Sequence, residues 1–90
     1  METLKAFIIT AAQEHHPGCE AGVNHVREHD PVELLIGKSK YRFHLLDNES
    51  WLSVVGLEPH RIIMDGPVPM DQGKYDFNFI KGLIKHIRLF

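Results

Sequence analysis

The sequence predicts a single α+β domain spanning residues 1–90, with the ferredoxin-like element order β-α-β-β-α-β and an added C-terminal amphipathic helix. Two alternating segments joined by a short glycine-led turn supply the hairpin at its centre. An amphipathic segment closes the chain, and an apolar run opens it. A small antiparallel β-barrel with one helix is the alternative fold. Ninety residues make one domain, because two cores cut from them would each be too small to outweigh chain entropy. A chain of this size buries roughly 60% of its unfolded surface, so self-association would add welcome burial.

The first element is Leu4–Ala11 (LKAFIITA), a short apolar run with β-branched residues, expected to be a strand buried on both faces. The same run raises the question of a targeting signal. Glu2 and a single Lys5 make a poor basic region, and the run passes straight into polar residues, so a strand is the better reading. Pro17 and Gly18 then punctuate the chain. From Cys19 to His29, residues Cys19, Val23 and Val26 share one face at helical spacing, and Asp30-Pro31 ends the segment.

Val32–Ile36 and Tyr41–Leu45 alternate strictly, with Val32, Leu34, Ile36, Tyr41, Phe43 and Leu45 on one side. Gly37-Lys38-Ser39-Lys40 joins them as an antiparallel hairpin. Asp47-Asn48-Glu49-Ser50 is rich in capping residues, which predicts a short helix over Trp51–Gly56, although its valines also suit a strand. His60–Met64 reads as a strand, followed by a turn and extended segment over Asp65–Pro69. Asp76 is placed to cap a terminal helix whose apolar side carries Phe77, Phe79, Ile80, Leu83, Ile84, Ile87 and Phe90. A hairpin turning at Lys81-Gly82 competes there, but the adjacent pairs Phe79-Ile80 and Leu83-Ile84 break strand alternation.

The richest chemistry lies in Gln13–Pro31, which holds four of the seven histidines, the one cysteine and four acidic side chains. His15, His16, Cys19, His25 and His29 are the candidate metal ligands, since imidazole and thiolate suit zinc, nickel or copper. Zinc or nickel is the expected ion if a site forms, and no other cofactor is predicted. His25–His29 also spells H-x-x-E-H, the letters of the inverted zinc-peptidase motif. Two imidazoles four residues apart on a helix can share one ion, with Glu28 as base on its water. Five letters in a histidine-rich chain match by chance, and no further carboxylate ligand is indicated. No catalytic residues are assigned.

A second candidate is the basic side of the last helix, Lys81, Lys85 and Arg88, with Lys74 just before it. The formal charge of -2 disfavours a general nucleic-acid binder, whose affinity comes from neutralised phosphates. No run reaches the ~18 apolar residues of a membrane span. One cysteine fits a reducing cytoplasm. The expected function is therefore that of a small cytoplasmic, non-enzymatic binding protein, a regulator, inhibitor or accessory subunit working through protein contacts or self-association. The alternative is a divalent-metal-binding protein or metal-dependent hydrolase centred on residues 15–29.

Overall fold

The computed structural model describes residues 4–23 and 31–89. The chain begins with a helix, α1 (Leu4–His15), and continues through five strands, β1 (Glu20–Val23), β2 (Val32–Ile36), β3 (Ser39–Leu46), β4 (Trp51–Leu57) and β5 (Arg61–Pro67). A two-stranded hairpin, β6 (Met70–Asp71) and β7 (Lys74–Tyr75), leads into α2 (Phe77–Lys85) and a short 3-10 turn over Ile87–Leu89. The five strands form one antiparallel sheet in sequence order, each paired with the next. The fold is α+β as expected. Its element order is not the ferredoxin-like β-α-β-β-α-β, and the sheet is an open meander that does not close into a barrel.

Three elements depart from the sequence reading. The opening apolar run is a helix, with Leu4, Ile8, Ala11 and Ala12 buried at i, i+4, i+7 and i+8. Helical burial against the sheet outweighs the modest propensity cost of Ile8, Ile9 and Thr10. Pro17 and Gly18 (φ +87°) end this helix and do not start another. Residues 20–23 of the expected second helix are instead strand β1, paired with β2 from Glu20↔Leu35 to Val23↔Val32. The rest of that expected helix, residues 24–29, lies outside the described residues. The expected short helix over Trp51–Gly56 is strand β4, with Leu52, Val54 and Gly56 buried in alternation.

The hairpin forms where expected. The strand expected over His60–Met64 is β5, which runs on to Pro67 through residues expected to turn. The terminal helix forms but stops at Lys85, with Phe79 of its expected apolar side 48% exposed. β2 and β3 are in register from Val32↔Phe43 to Ile36↔Ser39, so Gly37-Lys38 alone makes the loop. Asp76 caps α2, its carboxylate accepting from the Phe79 N–H at 3.1 Å, an interaction of about 1 kcal/mol.

The core lies on one face of the sheet. Val32, Leu34, Ile36, Tyr41, Phe43, Leu45, Leu52 and Val54 are buried from the strands, and Ile80, Ile84 and Ile87 join the four buried α1 residues above them. α1 and α2 pack side by side. Phe7 meets Phe77 at 4.6 Å between ring centroids, Glu14 meets the Lys81 ammonium at 3.5 Å, and the His16 ring nitrogen meets the Ile84 carbonyl oxygen at 2.7 Å. These contacts join start to start and end to end, so the two helices run parallel. At the sheet's last pairing, Gly56 leaves room for the Arg61 side chain, whose guanidinium lies 5.9 Å from the centre of the Tyr41 ring. An extra residue in β5, Ile63, bulges the strand between the Val54↔Met64 and Val55↔Ile62 pairs.

Burial sets the expected mutational pattern. Phe43 is 1% exposed at the centre of the sheet and Ile62 is 67% exposed on its edge strand. Phe43→Ala is expected to cost about 3–5 kcal/mol. Ile62→Ala is expected to stay within about 0.5 kcal/mol of wild type in the same urea titration.

Candidate functional site

The sheet and the helix layer are joined by the chain between β5 and α2, and that passage forms one wall of a groove. Val68 plugs into the core, and its N–H donates to the Ser50 carbonyl at 2.9 Å, drawing the passage against the β3–β4 turn. The Asp76 N–H donates to the Pro69 carbonyl at 2.9 Å and closes the base of the β6–β7 hairpin. Its two-residue loop, Gln72-Gly73, has positive φ at both positions (52° and 77°), the geometry of a tight primed turn. Between turn and hairpin runs a groove of about 990 Å³, lined by Asn48, Glu49, Ser50, Pro67, Val68, Met70, Gly73, Lys74, Tyr75 and Phe77. A smaller depression of about 260 Å³ lies at the head of α2, among Asp71, Gln72, Lys74, Tyr75, Asp76, Phe77 and Asn78.

The floor of the larger groove is apolar and its rim is charged. Val68 is buried, Tyr75 and Phe77 are half-buried and in edge-to-face contact at 6.1 Å, and Met70 stands 56% exposed on the lip. Glu49 faces it from the other lip. The Tyr75 hydroxyl donates across the gap towards the Glu49 carbonyl and carboxylate oxygens, both at 3.4 Å. Partial burial, then the neighbouring carboxylate, raises the Tyr75 phenol above its ordinary ionisation range.

The Glu49 lip has an uncommon backbone. Asp47, Asn48 and Glu49 all take positive φ (49°, 56° and 66°), a run that Asp and Asn tolerate and Glu adopts at a cost of about 1–2 kcal/mol. Ser50 closes the turn, its N–H donating to Leu46 and Asp47 carbonyls at 3.1 Å each and its hydroxyl to Asp47 at 2.6 Å. Next in the chain, the indole N–H of Trp51 donates to the Asp65 carboxylate at 2.6 Å, linking the side chains of β4 and β5.

The sequence candidates lie elsewhere. His15 ends α1 with its Nε2 buried and unpartnered, His16 is engaged with the Ile84 carbonyl, and Cys19 packs against the core. His25 and His29 lie outside the described residues. Among the described residues, no three His, Cys, Asp or Glu side chains are grouped as a metal site. The basic residues do not form one stripe: Lys74 sits on the groove lip, Lys81 is turned to Glu14 on α1, and Lys85 and Arg88 are exposed at the far end of α2. The groove residues Glu49, Val68, Met70 and Tyr75 carried a faint signal in the sequence. Pro67-Val68-Pro69-Met70 places apolar side chains where a solvated turn would be polar.

Tyr75 provides a direct check on the groove's geometry. Its raised value means the folded state holds the phenol proton more tightly than the unfolded chain, whose tyrosine titrates near 10.0. The resulting stabilisation is complete below that pH and is lost as pH rises through the folded value. Subtracting a Tyr75→Phe titration from that of wild type at 295 nm should reveal a phenol ionising above the free-tyrosine range. Glu49→Gln should lower it part of the way, leaving the larger contribution from burial.

Comparison of the chain with protein-family models, curated proteins and solved structures finds no match in any of the three.

Proposed function

We propose that the protein is a small binding module that takes an extended segment of a partner protein into the groove between the β3–β4 turn and the β6–β7 hairpin. The observation that carries this reading is the groove itself: an apolar floor of Val68, Tyr75 and Phe77 between lips bearing Met70, Lys74 and Glu49. Its volume of about 990 Å³ accommodates one or two large side chains with their backbone. Met70 is suited to such a lip, since an unbranched thioether adapts to different apolar partners. Among the described residues β6 and β7 pair only with each other, so an extended segment can add to the hairpin, and Glu49 favours a basic residue beside the inserted apolar one. Burying an apolar side chain of leucine or phenylalanine size would contribute about 1.5–3 kcal/mol, with backbone pairing and the Glu49 contact adding direction.

Selection of a displayed random-peptide library against the purified protein tests this. The expected pool is enriched in peptides with a large apolar residue next to Lys or Arg. Their binding should be measurable by isothermal titration calorimetry. Met70→Asp should weaken the selected peptides about tenfold or more, the effect of introducing a charge at a desolvating contact. Peptides that bind both proteins equally would place the binding surface outside the groove.

A further inference from the structure

The groove carries an oxidisable sulfur on its lip. Of the three methionines, Met1 lies outside the described residues and the other two stand in opposite surroundings. Met64, on β5, is half-buried and packs against the core. Met70, on β6, is 56% exposed and lines the groove. Cys19, the one thiol, is half-buried and packs against the core as Met64 does. Met70 is paired directly with Tyr75 across the β6–β7 hairpin, and the Tyr75 hydroxyl reaches towards Glu49 on the opposite lip. Residues opposed in this way hold their Cβ atoms about 4.5–5.5 Å apart, so thioether and phenol stand together at one side of the groove. An apolar side chain entering there is laid against the thioether.

We propose that Met70 is a redox-modification site, at which oxidation by a peroxide closes the groove to its partner segment. The thioether sulfur attacks one peroxide oxygen. The S–O bond forms as the O–O bond breaks, and the departing oxygen takes up a proton and leaves as water or an alcohol. Sulfur loses two electrons and the peroxide gains them. The reverse step needs two thiols, which become a disulfide while the sulfoxide oxygen departs as water. Oxidation exchanges an adaptable apolar side chain for a polar one. In the free protein the new oxygen stays hydrated, because Met70 is exposed, so the fold is undisturbed. Against an inserted apolar side chain it loses that water and the incoming group offers no hydrogen bond in return. The consequence for binding rests on the partner-segment reading of the groove, whereas the reactivity of Met70 rests on its exposure alone.

Limited treatment of the purified protein with hydrogen peroxide, followed by peptide mass mapping, tests the site. Met70 should gain its oxygen about tenfold faster than Met64 or more, with the thermal midpoint unchanged. Equal rates at the two methionines overturn it. Calorimetry with the library-selected peptides tests the closure. The oxidised protein should bind them about tenfold more weakly or worse, and methionine sulfoxide reductase with a dithiol should restore the affinity. Met70→Leu should bind like wild type and keep its affinity after the same treatment. A loss in peroxide-treated Met70→Leu would place the effect at another residue and overturn the proposal. Peptides that distinguish Met70→Asp from wild type but bind oxidised and reduced protein equally overturn the closure and leave the groove reading standing. A library that yields no peptide overturns the groove reading and the closure together, and the mapping still decides the reactivity of Met70.

Discussion

The fold closes only when helices from the two ends of the chain meet over the sheet. Neither α1 nor α2 is long enough to persist alone in water, and each finds its apolar partner in the other and in the inner face of β2–β4. The pair runs parallel, which sets two macrodipoles side by side in the unfavourable sense. The contacts that hold it are spread along its length: Phe7 on Phe77, Glu14 on Lys81, and the His16 ring on the Ile84 carbonyl. The last of these joins the C-terminal ends, where unsatisfied carbonyls gather and a ring N–H donor is most useful. A histidine that composition marks as a metal candidate thus acts as a clasp between helices.

That closure dictates where the surface can be concave. After β5 the chain has to leave the sheet edge and climb to the helix layer, and Val68 anchors the climb by entering the core. The β6–β7 hairpin projects beyond this anchor, and the β3–β4 turn projects opposite it, so a groove follows from connectivity. Its acidic lip is maintained by a backbone in which three successive residues are left-handed, and strain of this kind persists where surrounding contacts over-determine it. Here those contacts are the Ser50 hydrogen bonds and the reach of Tyr75 to Glu49. Below the groove, α2 commits Ile80 and Ile84 to the core and leaves Phe79 half-exposed.

Much of the sheet was legible in the residues. Val32–Ile36 and Tyr41–Leu45 alternate because one face is buried and the other is wet, and Gly37 supplies the turn. Asp76 and the isoleucines of α2 were readable for the same reason at a helical period. The misreadings have physical causes. Leu4–Ala11 is apolar enough for either element, and its β-branched residues favour strand locally. Only the buried set Leu4, Ile8, Ala11 and Ala12 separates the two. Asp47-Asn48-Glu49-Ser50 resembles a helix cap because the short polar side chains that cap helices also stabilise left-handed turns. The candidate site was the least legible. A groove arises between segments about twenty residues apart in sequence, and neither Glu49 nor Met70 announces the other.

By itself, then, the sequence determined an α+β domain, its central hairpin and its capped terminal helix, since each rests on patterns within a few residues of each other. Tertiary structure alone decided that the first element is a helix, that Trp51–Leu57 is a strand within a five-stranded meander, and that the groove exists. These depend on which surfaces remain for burial after the rest of the chain has packed, a quantity no local window of residues contains.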